Sequence, residues 1–70
     1  MRTPRSSSYQ SRLDRVIDYV HENLQRRLTT EQLADVACFS RYHFQRVFAA
    51  TMGETPGAFV RRARLERAAR

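Results

Sequence analysis

Seventy residues allow one small domain with a thin core. Thirteen arginines, no lysine and seven acids leave a net charge of +6, which favours a polyanionic partner, nucleic acid or an anionic membrane face, without choosing between them. The one cysteine excludes an internal disulfide and fits a reducing cytosol, no apolar run is long enough to span a membrane, and the polar start Met1–Ser8 is no secretory signal.

Residues 1–7 read as a flexible basic arm, with Pro4 and serines from Ser6 on. Arg2 and Arg5 could touch a DNA backbone, but the plainer reading, a disordered terminus, is preferred. A first helix is expected from Ser7 or Ser8, with Ser7 and Gln10 as a capping box. Leu13, Val16, Ile17, Val20 and Leu24 repeat at helical spacing and form its apolar stripe. Asp14 and Asp18 lie off that stripe near Arg12 and Arg15. A carboxylate pair for catalysis or metal is the sharper reading, but no cleft chemistry surrounds it, so this is a charged surface with local pairing. His21 and Glu22 read the same way.

Asn23–Leu28 ends this helix and turns the chain. Leu28 then sits as a hydrophobic staple before Thr29, which caps a second helix with Gln32 reaching back to it. Leu33, Ala34 and Ala37 follow at helical spacing, Cys38 and Phe39 break the run, and Ser40 caps a third helix. There Phe44, Val47, Phe48 and Met52 form the inner stripe, and Tyr42, Gln45, Arg46 and Ala49 the opposite face. Gly53 is suited to the left-handed conformation that ends a helix. This is a helix-turn-helix, with a recognition helix at about Arg41–Met52 whose free side suits a DNA major groove. Thr55 and Pro56 start a fourth helix. Phe59 and Ala63, with Val60 at the edge, share one face of it; Leu65, Ala68 and Ala69 lie on the other. A helix apolar on two sides needs two partners.

No internal repeat, Gly-rich phosphate loop or metal-spaced Cys/His cluster occurs. Cys38 and His43 are too few for zinc and lack an orienting partner for nucleophilic chemistry. No catalytic residue, metal or cofactor is expected. Arg46 suits the O6 and N7 of guanine, and Gln45 the N6 and N7 of adenine. Tyr42 offers a hydroxyl and a flat ring for a thymine methyl or a sugar. Arg41 stands at the groove rim. These four are the candidate base contacts. Ser40, His43, Thr30 and Arg61, near helix starts, are candidates for the DNA backbone. The plain alternative is a solvated helix face in a small bundle.

From Leu13 to the end the chain resembles the first helix-turn-helix of the AraC/XylS family of bacterial transcription regulators. The resemblance rests on Leu28-Thr-Thr-Glu-Gln-Leu33-Ala34, Phe39-Ser40-Arg41-Tyr42-His43-Phe44-Gln45-Arg46-Val47-Phe48 and Gly53-Glu-Thr-Pro56, continued by Phe59-Val60, Arg64-Leu65 and Ala68. Two departures stand out: Cys38 occupies a turn position where the family usually has Gly, and the chain stops inside the helix that joins the family's two helix-turn-helix units. The expected fold is all-α, a small bundle of four helices with one homeodomain-like helix-turn-helix over residues 8–70. The resemblance implies a cytoplasmic transcription regulator that binds double-stranded DNA and is no enzyme. In this family another domain usually senses a ligand; here it would follow the DNA-binding unit. A homodimer, or a second helix-turn-helix, would pack on Leu65, Ala68 and Ala69. The rival reading is an interaction module, a truncated regulator that dimerises with or inhibits a full-length relative.

Overall fold

Helical periodicity and local caps together divide the chain into four helices. In the computed structural model, which describes residues 7–69, these are α1 (Ser7–Glu22), α2 (Thr30–Ala37), α3 (Arg41–Met52) and α4 (Pro56–Ala68), with no strand among the described residues. The fold is all-α, as expected. Arg2 and Arg5 of the expected arm, and the Ser7 side chain of the expected capping box, lie outside the described residues.

Each later boundary has a local cause. The Thr29 hydroxyl accepts from the Gln32 N–H at 3.1 Å, and the Gln32 side chain accepts from the Thr29 N–H at 2.9 Å, so two otherwise orphaned donors at the start of α2 are satisfied. Ser40 and Thr55 accept from the N–H groups of His43 and Ala58, both at 3.2 Å. Pro56 opens α4, where its missing N–H costs nothing. Gly53 ends α3 at φ 79°, a left-handed conformation that needs no side chain. Cys38 ends α2 in the same region, at φ 62° and ψ 40°. Its N–H donates to Asp35 O and that of Phe39 to Ala34 O, both at 3.0 Å, the bond pair of a Schellman motif. The turn expected of a glycine therefore forms around Cys38.

Leu13, Val16 and Val20 of α1, Leu33, Ala34 and Ala37 of α2, Phe44 and Phe48 of α3, and Phe59, Val60 and Ala63 of α4 bury their side chains in one core. Phe48 links two helices, its ring centroid 5.5 Å from Phe44 and 5.6 Å from Phe59. Two expectations shift. Leu24 is buried, but from the turn: α1 ends at Glu22, and the Asn23 side chain donates to the Tyr19 carbonyl at 2.7 Å. Ala49 is half-buried, because it flanks the inward-facing Phe48, and Ala50 is exposed instead.

Arg64 ties α4 to the turn after α1. Its Nε donates to Leu24 O at 3.0 Å and its Nη2 to Arg26 O at 2.6 Å. The second face of α4 stays uncovered: Leu65 is 66% exposed, and Ala68 and Ala69 are exposed.

Candidate nucleic-acid interface

The inner stripe of α3 fixes what its outer face presents. Phe44 and Phe48 have no exposed surface, so the helix cannot roll without opening the core. Arg41, Tyr42, His43, Gln45 and Arg46 are all exposed, and Tyr42, at 72%, is the most exposed large hydrophobic residue among the described residues. Tyr42 and Arg46 stand one turn apart and touch. Arg46 Nη1 donates to the Tyr42 hydroxyl at 3.0 Å, and the Arg46 guanidinium carbon lies 5.6 Å from the ring centroid. The four candidate base contacts thus stand exposed on one helix, Arg41 and Tyr42 in its first turn and Gln45 and Arg46 in the next.

The candidate backbone contacts divide into two groups. Ser40 and His43 lie at the start of α3. The Ser40 hydroxyl accepts the cap bond and keeps its own O–H to donate. His43 stacks on Phe39, centroids 5.0 Å apart and planes 14° apart, with Tyr9 edge-on at 6.1 Å. Thr30 and Arg61 come together elsewhere, where the starts of α2 and α4 line a depression of about 230 Å³ with Leu28, Leu33, Pro56, Gly57, Val60 and Arg64. The positive ends of two helix dipoles meet there.

The arginines are not equivalent. Arg62 bonds Glu54 at 2.6 Å and Glu66 at 2.9 Å. The hydrogen bond from Arg62 holds the Glu54 carboxyl below its ordinary range, and the two carboxylates raise the guanidinium's pKa. A guanidinium already holding two carboxylates is a poor phosphate ligand. Among the described residues Arg61 has no carboxylate within ion-pair distance.

The sequence pattern missed Arg12 and Arg64. Arg12 lies 4.9 Å over the Phe39 ring, and Tyr9 meets the same ring edge-on at 5.2 Å. Phe39 therefore anchors the start of α3 against α1 rather than only breaking α2. No local signal reveals such contacts, since both join segments far apart in the chain. Among the described residues no group of three His, Cys, Asp or Glu side chains could hold a metal ion.

Residues 20–61, from the end of α1 into α4, match the sequence model of the bacterial regulatory helix-turn-helix proteins, AraC family. The chain is 28% identical over 61 residues to the uncharacterized HTH-type transcriptional regulator YbfP of Bacillus subtilis (strain 168), which covers 87% of this chain and 21% of that protein. It is 34% identical over 53 residues to the XylDLEGF operon transcriptional activator of Pseudomonas putida, covering 76% of this chain and 16% of that one. The chain thus spans at most about a fifth of the length of these relatives. No solved structure matches it.

Proposed function

Since the chain belongs to the AraC family of bacterial regulatory helix-turn-helix proteins, we propose that it binds double-stranded DNA in a sequence-dependent way, with α3 in the major groove. The observation that carries this reading is the two-sidedness of α3: Phe44 and Phe48 lock one side into the core, and Arg41, Tyr42, Gln45 and Arg46 stand exposed. A helix of that kind fits the groove and brings long donors to the base edges. Arg46 pairs with guanine and Gln45 with adenine, with Tyr42 and Arg41 beside them. Ser40 and His43 at one end, and Thr30 and Arg61 in the α2–α4 depression, hold the backbone and set the register. The net charge of +6 adds attraction to any duplex.

The activity is binding, not catalysis, and it operates where bacterial DNA lies, in the cytoplasm. No described helix is long and apolar enough to cross a membrane. A second helix-turn-helix or a second copy covers Leu65, Ala68 and Ala69. The rival, an interaction module acting on a full-length relative, draws no support from the fold or from the relatives. Selection from a randomised duplex pool at low salt tests the reading. It should enrich a motif of a few base pairs, and a pool still random after repeated rounds overturns it.

A further inference from the structure

We propose that Tyr42 is a positioning residue for Arg46, so that discrimination at the base pair read by Arg46 depends on the Tyr42 hydroxyl. This rests on the DNA-binding reading above and goes beyond it. An exposed arginine is among the most mobile side chains, and ordering it on a base opposes binding. Here two contacts restrain it before DNA arrives. Arg46 Nη1 donates to the Tyr42 hydroxyl at 3.0 Å, and its guanidinium carbon lies 5.6 Å from the ring centroid. Positions i and i+4 lie side by side on a helix, so the restraint needs no distortion. Tyrosine, with two rotatable side-chain bonds, is a stiff support. Gln45 has no such partner among the described residues.

The atoms used leave the reading edge free. A guanidinium has five N–H donors, and the bond to Tyr42 takes one, on Nη1. The Nε and Nη2 donors remain as a side-on fork for the O6 and N7 of guanine. The Tyr42 oxygen accepts from Arg46, and its own O–H is left to donate. Tyr42 thus acts through Arg46, a role separate from touching a thymine methyl itself.

A double-mutant cycle tests this with Tyr42→Phe, Arg46→Ala and the double variant. Both positions are exposed, and circular dichroism checks that each variant folds. Competition among duplexes carrying the parent's selected motif and its single base-pair changes, at low salt, gives discrimination at each position. Tyr42→Phe should lower it about three- to tenfold at one base pair, the same one lost in Arg46→Ala, and should add nothing in the double variant. In the free protein, NMR should show hindered rotation of the Arg46 guanidinium that Tyr42→Phe releases. An effect at a different base pair, an equal effect in the Arg46→Ala background, or unchanged discrimination overturns the proposal while leaving the DNA reading intact. A parent chain that selects no motif overturns the DNA reading, and the proposal with it.

Discussion

Cys38 carries a backbone conformation that a side chain resists, φ 62° and ψ 40°. For a non-glycine residue the left-handed region costs about 1–2 kcal/mol, and glycine gives back about 0.4–1 kcal/mol through the larger freedom of its unfolded chain. Cys38→Gly should therefore stabilise the fold by about 0.5–1 kcal/mol, read as a higher urea midpoint at an unchanged slope. A lower midpoint would mean that the Cys38 side chain contributes more than the strain removes. Arg46 belongs to the same scale. Arg46→Ala should weaken specific binding by about 1–3 kcal/mol and relax preference at one base pair. Identical selected motifs for variant and parent would take Arg46 out of the readout. Phosphate-facing candidates such as Arg61 should behave differently when replaced, weakening all sequences alike.

Between elements, one arginine does what no cap can. Arg64 reaches from α4 to the carbonyls of Leu24 and Arg26, 40 and 38 residues back along the chain. Two acceptors on consecutive sides of a turn suit a planar fork better than a point charge. Arg64→Ala should cost about 1–3 kcal/mol of stability, and Arg64→Lys should restore less than half of it. Urea denaturation of the three proteins measures this, and an unaltered midpoint in Arg64→Ala would reduce the contact to surface decoration. The same contact shows where sequence reading stops. The caps at Thr29, Ser40 and Thr55 and the stop at Gly53 were legible because each bond spans three or four residues. The exposed side of α3 was legible because Phe44, Val47, Phe48 and Met52 mark its buried side at helical spacing. Arg64 on the α1–α2 turn and Arg12 over Phe39 were not, because a donor's partner in another element leaves no periodic trace. Leu24 misled for a related reason: its spacing continues the α1 stripe, yet the core takes it from the turn. The pairing of Thr30 with Arg61 in one depression likewise depends on how α4 lies across α2.

At the largest scale the described residues offer one candidate recognition helix and an uncovered apolar strip, and the chain carries an excess of positive charge. One helix in one groove segment reads only a few base pairs, whereas the positive excess acts on any duplex by releasing counterions. Specific complexes are typically about 10³–10⁷ tighter than non-specific ones, and proteins with a helix-turn-helix commonly join two reading units to reach that. Leu65, Ala68 and Ala69 lie open beside a shallow groove lined by Leu24, Gln25, Arg64, Arg67 and Ala68, where a second unit has room to pack. The isolated 70-residue chain should therefore bind weakly as a monomer. Its log affinity should fall against log salt by about 0.9 for each phosphate neutralised, nearly alike on all duplexes. Supplying a surface that covers this strip, by fusing a second helix-turn-helix after Arg70 or by dimerisation, should raise affinity and discrimination together. Leu65→Gln, which leaves the net charge unchanged, should abolish that gain and leave the monomer's weak binding close to its starting level, since Leu65 is 66% exposed and outside the core. Salt titrations on many duplexes, paired with sedimentation at several concentrations, separate the cases. Nanomolar, sequence-selective binding by a proven monomer at physiological salt would show that α3 and its neighbours suffice, and that the open face of α4 has no part in recognition.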